Sequence, residues 1–306
     1  MRPLTAISSG LLLAACLLAT SASAQTGGSE GLSPTLSAIK NAHTVRLGYR
    51  ESSPPFSFLD QANRPIGYSL ELCEAIVEEI GVEVDDPNLK IEYVKVTSDD
   101  RIDAVLQNKI DLECGSTTAN SERGKRVAFS PLMFVAGTKL MVPKASSVQQ
   151  LADLKGKTIV VTKGTTNEQA IQAADKKLSL GLNIAVGADH EQSYQMLVDG
   201  KADAFATDDI LLSGLIVRHK SQDKFRVTGD YLSYDPYGIM FRKGEPQLAA
   251  VVERTFRKLG SNHDLVPLYN KWFIARMPTG EKMNVPISLQ LEEAFKAMDD
   301  SASANN

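Results

Sequence analysis

Two successive series of apolar and amphipathic segments, divided near Gly137, constrain the fold of this chain more than any other feature of its sequence. The short segments are typical of buried strands, and the longer ones repeat apolar residues at helical spacing. The predicted strands are Thr44–Tyr49, Lys90–Val96, Ile110–Cys114, Thr158–Thr162, Asn183–Val186 and Ala202–Ala206. The predicted helices are Ser69–Ile80, capped by Ser69 and ended by Gly81, Ser98–Asn108, one that starts at Thr165, Glu191–Val198 and Ile210–His219. Strands that alternate with helices predict an α/β fold with parallel sheets.

The second series resembles the first at an offset of 92 residues. Asn108-Lys109-Ile110-Asp111 aligns with Gly200-Lys201-Ala202-Asp203, and at the same offset Ser98 aligns with His190. Ser116 likewise aligns with Asp208, and each of these four single residues follows a predicted strand. Ligands bind at the edge of open parallel sheets where the strands end. A true repeat would therefore present two matching edges. The alternative is that any two α/β units look alike.

The N-terminus has the pattern of a secretory signal. Arg2 precedes an apolar run at residues 11–19, which is too short for a permanent membrane helix, and Ala22-Ser23-Ala24 has the spacing of a cleavage site. We therefore expect residues 1–24 to be removed and the protein to reach the periplasm. The competing interpretation is a lipobox, in which Cys16 would be lipidated, although Leu17 and Leu18 continue the apolar run past it.

Composition narrows the class of the exported part. Removal of 24 of the 306 residues leaves 282, enough for two domains of ordinary size, with 32 basic against 37 acidic residues. Without a long basic run, no nucleic-acid partner is expected. The four histidines lack metal-ligand spacing and no enzyme motif is present, so no cofactor or metal is expected. Cys73 and Cys114 could pair in an oxidising compartment, or remain two buried thiols.

Polar residues at the predicted strand–helix junctions are the candidate ligand contacts. They are Arg50, Ser98, Arg101, Ser116, Thr118, Arg123, Thr162, Thr165, His190 and Asp208. Taken singly, each could be a helix cap or a solvated charge. Taken together, three arginines and one histidine against one aspartate favour an anion. An α-amino acid needs one arginine and one acid, so two further arginines indicate a second carboxylate.

At these residues the chain resembles the solute-binding proteins of polar-amino-acid ABC transporters, and in particular their glutamate/aspartate-binding branch. The resemblance covers roughly residues 34–296. Its motifs are Arg50-Glu51-Ser52-Ser53-Pro54-Pro55-Phe56-Ser57, Gly67-Tyr68-Ser69, Glu113-Cys114-Gly115-Ser116-Thr117-Thr118, Glu122-Arg123, Phe129-Ser130, Asp153-Leu154-Lys155-Gly156-Lys157, Gly164-Thr165-Thr166 and Asp208-Asp209. The spacing of Gly115-Ser116-Thr117 to Glu122-Arg123 is specific to the family, and the Arg50-Glu51-Ser52-Ser53 start and His190 point to the acidic-ligand branch.

The resemblance implies a two-lobed periplasmic-binding-protein fold of type II, a Venus flytrap with two crossing hinge strands. Lobe 1 would be residues 34–137 and 236–298, lobe 2 residues 138–235, and residues 299–306 a disordered tail. The crossings would be Val135–Met141 and Tyr237–Phe241. The implied partners are L-glutamate or L-aspartate and an inner-membrane ABC permease with its ATPase, served by a monomer.

The resemblance also assigns roles. Arg123 with the Thr118 and Thr165 amides would receive the α-carboxylate, and Ser116 and Asp208 the ammonium group. The side-chain carboxylate would contact Arg50, Ser98, Arg101 and His190, with Thr162 beside them.

Two other functions share this fold. A periplasmic cyclohexadienyl or arogenate dehydratase would need a spare acid in the cleft, for which Glu51 and Asp209 are the candidates. A ligand-sensing module would need a separate membrane partner. Both are possible because fold alone does not fix function, and the resemblance favours transport over both.

Overall fold

Strands and helices alternate along the described part of the chain. The computed structural model describes the backbone of residues 31–303 and the side chains of residues 31–299, so the predicted signal peptide, Cys16 and residues 304–306 lie outside it. The strands are β1 Thr44–Tyr49, β2 Ser52–Ser53, β3 Ser57–Leu59, β4 Pro65–Ile66, β5 Lys90–Lys95, β6 Leu112–Glu113, β7 Val127–Phe129, β8 Phe134–Ala136, β9 Thr138–Pro143, β10 Thr158–Thr162, β11 Asn183–Gly187, β12 Ala204–Asp208, β13 Phe225–Thr228, β14 Asp235–Tyr237 and β15 Met240–Arg242. The helices are α1 Pro34–Ala42, α2 Tyr68–Val84, α3 Arg101–Leu106, α4 Ser121–Gly124, α5 Thr166–Leu178, α6 His190–Val198, α7 Asp209–Arg218, α8 Pro246–Ser261, α9 Leu265–Phe273 and α10 Leu289–Ser303.

Two five-stranded sheets organise these elements. The first sheet has the order β5-β1-β6-β15-β7, and the second sheet has the order β11-β10-β12-β9-β13. In each, three neighbouring strands are parallel, as predicted, and the fourth strand in the order runs antiparallel to both its neighbours. That antiparallel strand, β15 or β9, directly follows a segment that crosses between the sheets, which is why the predicted series of parallel strands omitted it.

The strand register is the same in the two sheets, as an internal repeat would require. Glu113 of β6 pairs with Gly48 of β1, and Phe205, 92 residues after Glu113, pairs with Val160 of β10. The turns before these strands also match, because the amides of Lys109 and Lys201 donate to carbonyls at equivalent helix positions. The two sheets therefore share one β-α-β-α-β arrangement, although their first strands, β1 and β10, are offset by 112 residues rather than 92.

A two-stranded antiparallel ladder connects the two sheets. Strand β8 pairs with β14, with Phe134 opposite Tyr237 and Ala136 opposite Asp235. The outgoing crossing therefore agrees with the predicted segment, whereas the return strand pairs at Asp235–Tyr237, before most of the predicted segment 237–241.

Helix boundaries departed from the sequence predictions by more than two residues at three places. Helix α2 continues past Gly81 to Val84 and ends where Asp85 adopts a left-handed conformation, and Ser69 lies inside it. Helix α3 begins at Arg101, because a reciprocal bond between the Thr97 and Asp100 side chains and amides leaves Ser98 in the preceding turn. At the C-terminus, α10 includes residues 299–303, which were expected to belong to a disordered tail.

Apolar side chains cover both faces of each sheet. The largest cluster packs α2, α8 and α9 against the first sheet, around Phe56, Tyr68 and Phe273. Smaller clusters fill the other face of that sheet and both faces of the second. This three-layer packing leaves the strand ends as the place where polar side chains can meet.

Cys73 and Cys114 form a disulfide in the structure. Cys73 lies on the buried face of α2 and Cys114 directly follows β6, with 6.2 Å between their Cα atoms. Of the two alternatives that the sequence left open, the structure has the bridge rather than two thiols. None of the helices within residues 31–303 has the length and apolar content needed to cross a bilayer.

Candidate ligand site between the two sheets

A small polar cavity lies where the carboxyl ends of both sheets face each other. Its lining residues are Ser98, Arg101, Ser116, Thr118, Thr165, Thr166, Asn167, His190, Asp208 and Leu211. Seven of the ten residues singled out in the sequence are among them. The other three, Arg50, Arg123 and Thr162, are not among the lining residues but hydrogen-bond to them.

Arg50 and Arg101 bring two buried guanidinium groups to the first sheet's side of the cavity. Arg50 Nη2 donates to Ser98 Oγ over 2.6 Å, so the turn that excludes Ser98 from α3 also orients this arginine. Arg101, on the first turn of α3, makes only a long contact, 3.4 Å from Nη1 to the Ser116 carbonyl oxygen. Both side chains are almost fully buried, at 1% and 2% exposure.

Arg123 links the two sides of the cavity. The Asn120 side chain caps α4 by accepting from the Arg123 amide. The Arg123 guanidinium group donates to the Thr118 carbonyl oxygen over 2.9 Å. Across the cavity, it also donates to the Gly164 carbonyl oxygen over 3.4 Å. A half-buried arginine bonded only to carbonyl oxygens keeps its whole positive charge available to an anion.

The three guanidinium groups lack a carboxylate partner. No ion pair among residues 31–299 within 4.0 Å includes Arg50, Arg101 or Arg123. Burial lowers the pKa of Arg50 to about 10 and that of Arg123 to about 9, and the Arg101 charge adds to both shifts. Arginine side chains stay charged in proteins, so three buried cations without an ion-pair partner favour the binding of negative charge.

Several buried polar atoms in the described part of the chain also have no hydrogen-bond partner. Four of them belong to this site: Arg50 Nη1, Arg101 Nε, Ser116 Oγ and His190 Nε2. Buried polar groups in native proteins are nearly always paired, so a cluster of unpaired ones is typical of a site that pairs them with a ligand.

His190 is placed by the first turn of α6. Its Nδ1 atom lies 3.0 Å from Ser53 Oγ, which belongs to the opposite side of the cavity. Burial, together with the charges of Arg50 and Arg101, lowers the pKa of His190 well below its usual value. The imidazole is therefore neutral at physiological pH and contributes a hydrogen bond rather than a charge.

Asp208 supplies negative charge on the second sheet's side. It occupies the N-cap position of α7 without capping it, because its oxygens accept from Asn167 Nδ2 at 2.7 Å and from the Tyr237 hydroxyl. Burial raises the pKa of Asp208 to about 7, with a further contribution from the Asp235 charge. A cationic group bound beside it would favour the ionised form.

The Thr165 cap of α5 agrees with the sequence in part. Thr165 Oγ1 accepts from the Glu168 amide over 3.1 Å, as a cap should. The Glu168 carboxylate accepts from the Gly164 amide rather than from the Thr165 amide. The cap therefore leaves that amide unused.

Thr162 lies deeper than expected. Its side chain is fully buried and pairs with Ser193 Oγ at 2.8 Å, behind the cavity lining.

The sequence did not indicate that two acids near the site are buried. Asp235 on β14 accepts from Thr118 Oγ1 at 3.1 Å and from Thr166 Oγ1 at 2.8 Å, which joins residues from both sides of the cavity at the crossing. Glu113 ends β6 beneath the arginines and is fully buried. A carboxylate at a strand end looks like a surface charge in a sequence, although the apolar strand before Glu113 was a signal that it could be buried.

The two spare acids considered for catalysis have other partners. Glu51 pairs with Lys95 over 2.5 Å, and Asp209 accepts from the Tyr231 hydroxyl over 2.8 Å. Neither residue lines the cavity.

The fold agrees with what the chain is similar to. The family model of bacterial extracellular solute-binding proteins, family 3, matches residues 45–275. A Pseudomonas aeruginosa "L-glutamate/L-aspartate-binding protein" is 38% identical over 95% of this chain and 97% of its own length. A "Glutamate/aspartate import solute-binding protein" of Escherichia coli is 34% identical over 98% of both chains.

A solved structure of the same type supports the architecture. An ancestral arginine-binding protein bound to glutamine superimposes with a TM-score of 0.68, at 30% identity, over 76% of this chain and 98% of its own. The predicted two-lobed fold of type II is thus confirmed, with one lobe around each sheet. The chain belongs to the bacterial extracellular solute-binding proteins, family 3.

Proposed function

We propose that this protein is a periplasmic receptor that captures L-glutamate or L-aspartate between two closing lobes and delivers it to an ABC permease and its ATPase. The observation that carries the proposal is the group of three guanidinium side chains without a carboxylate partner among residues 31–299. A zwitterionic amino acid uses one of them for its α-carboxylate. A second carboxylate on the ligand gives the other two their partner.

The candidate residues divide into three contacts. Arg123 and the amides of Thr118 and Thr165 receive the α-carboxylate, which is supported by the amide that the α5 cap leaves unused. Ser116 and Asp208 receive the ammonium group, since Asp208 is the acid in the cavity lining. The remaining residues bind or support the side-chain carboxylate: Arg50, Ser98, Arg101, His190 and, behind them, Thr162.

Lobe 1 consists of residues 34–137 and 236–298, and lobe 2 of residues 138–235. The β8–β14 ladder between them serves as the hinge. The closed arrangement is supported by an ion pair between Lys163 and Asp99, 2.8 Å apart, at the rim of the cavity. The receptor acts as a monomer, exported by residues 1–24 and cleaved after Ala24.

Binding rather than catalysis is the function of this cavity. Curated relatives that match most of the chain are named as binding proteins, and the two spare acids are paired away from the cavity. A dehydratase would need a proton donor beside its substrate.

Calorimetric titration with glutamate, aspartate, glutamine and asparagine tests the proposal. A desolvated carboxylate with charged partners is worth about 2–5 kcal/mol, so each acid should bind at least about thirtyfold more tightly than its amide. Equal or tighter binding of glutamine would contradict the two-carboxylate ligand. Turnover of prephenate or arogenate would show that the protein is an enzyme rather than a receptor.

A further inference from the structure

Glu113 is a buried acid at the centre of the first sheet, directly beneath the proposed site. It ends β6, pairs in register with Gly48 and Met240, and has no exposed surface. Its Oε2 atom accepts from Thr117 Oγ1 over 2.6 Å, while Oε1 has no hydrogen-bond partner. Such a group costs free energy unless nearby positive charge compensates it.

Gly115 allows Glu113 to approach Arg50. A Cβ atom on Gly115 would lie 2.3 Å from Glu113 Oε1 and 3.0 Å from Arg50 Cγ, so the carboxylate and the arginine stem border the same space. Yet Glu113 forms no ion pair within 4.0 Å with any side chain of residues 31–299. The carboxylate therefore lies against the arginine stem without binding its guanidinium group.

This separation has an electrostatic consequence. Burial lowers the pKa of Arg50, Arg101 and Arg123, and the Glu113 charge opposes that shift at each. Because Glu113 takes no guanidinium hydrogen, it stabilises the buried cations while their donors remain available. The same charge repels any carboxylate that those donors bind.

We propose that Glu113 is a positioning residue that moderates the preference of the site for acids over amides. It offsets the arginine charge without occupying the arginine donors, so it weakens the binding of a second carboxylate. This inference rests on the proposed function. It implies that Glu113 limits the affinity for the second carboxylate, which keeps an acidic ligand releasable to the permease.

Glu113→Gln tests the inference, because it removes the charge and keeps the shape and the bond from Thr117. Two charges about 10 Å apart, at an effective dielectric constant near 20, change an equilibrium constant about tenfold. The variant should therefore bind glutamate about tenfold more tightly, with little change for glutamine. Titration of both ligands on wild type and variant gives the ratio of their affinities.

Asp111→Asn is the matched control. Asp111 is also a buried acid, two residues earlier in the chain, but it pairs with Arg46 at 2.7 Å, away from the site. The Asp111→Asn variant should be less stable than the wild type, with an unchanged ratio of glutamate affinity to glutamine affinity. A ratio that rises equally in this control would show that Glu113 has no special role.

Two results would overturn the inference while leaving the proposed function intact: an unchanged ratio in Glu113→Gln, which includes equal losses for both ligands, or a lower ratio. A wild-type protein that does not prefer glutamate would instead contradict the proposed function. If Glu113→Gln fails to fold, Glu113→Met decides, because it removes the same charge without placing an amide in the buried site. The ratio should again rise about tenfold, and no rise would count against Glu113.

Discussion

The two sheets share one scaffold and differ at the edge that faces the ligand site. In the first, Asp111 accepts the Arg46 amide over 2.9 Å, and in the second, Asp203 accepts the Thr158 amide over the same distance. These equivalent bonds join β1 and β10 to the residues that directly precede β6 and β12. Positions that build the sheet were kept in both copies, which is why the offset of 92 residues could be recognised in the sequence.

The ligand-facing positions have diverged in charge. Arg50 corresponds to Thr162 in the register of β1 and β10, and Arg101 corresponds to Ser193 at the offset of 92 residues. In the first sheet these positions hold guanidinium groups with free donors, whereas in the second they hold two hydroxyls that bond each other. We infer that the first lobe supplies most of the charge, and the second supplies hydroxyls, helix N-termini and Asp208.

Loss of Arg123 should have the largest effect, because it serves both lobes. Arg123→Ala should weaken binding of every amino acid ligand by about 4 kcal/mol, since the buried α-carboxylate loses its charged partner. Arg126→Ala is the control, because Arg126 is exposed and pairs with Asp103. Calorimetry that finds unchanged binding to Arg123→Ala would remove this residue from the site.

Substitution at the equivalent pair Arg101 and Ser193 measures how far the two copies have diverged. Arg101→Met should cost glutamate about 3 kcal/mol and glutamine far less, since only the acid loses a charge partner. Ser193→Ala should cost both ligands no more than about 1 kcal/mol, because it removes a bond between two neutral groups. Both variants would be titrated with both ligands. Equal losses of glutamate and glutamine in Arg101→Met would place Arg101 in the common amino-acid contact instead.

Much of the fold could be predicted because strands and helices have strong periodic patterns. Strand β1 and strand β10 were predicted with their observed bounds. The start of α3 was missed, because the bonds between Thr97 and Asp100 compete with a cap at Ser98, and both threonine and serine are good caps. Helix boundaries depend on such local competition, which periodicity does not reveal.

The sequence indicated which residues would lie near the cavity better than it indicated how deeply each is buried. Charged and hydroxylic residues at strand ends could be found from the sequence, and most of them line the cavity. Burial of an acid by distant segments could not be read, so Glu113 and Asp235 were missed. The depth of Thr162 was hidden for the same reason, because its partner Ser193 comes from another helix.

The pH dependence of binding should be a smaller effect than the loss of either Arg123 or Arg101, and it depends on Asp208, whose counterpart Ser116 carries no charge. The pKa of Asp208 is raised to about 7, mainly by burial, so part of the protein carries a protonated Asp208 below neutral pH. The ligand ammonium prefers the ionised form, hence binding below pH 7 must release a proton. Glutamate affinity should therefore rise with pH up to about 7, by at most about tenfold per pH unit, and level off above it.

Titrations of glutamate between pH 5.5 and pH 8 would measure this dependence. His190 adds nothing in this range, because burial keeps its pKa well below the usual value, and the ligand's own groups titrate outside it. Asp208→Asn should bind more weakly than wild type at pH 8 and show a flat profile, since the titrating group is gone. A slope that persists in this variant would assign the proton to another group, and affinity that falls as pH rises would contradict the contact between Asp208 and the ammonium group. If the slope is lost with Asp208, the acid of the second lobe and the arginines of the first bind opposite charges of one ligand.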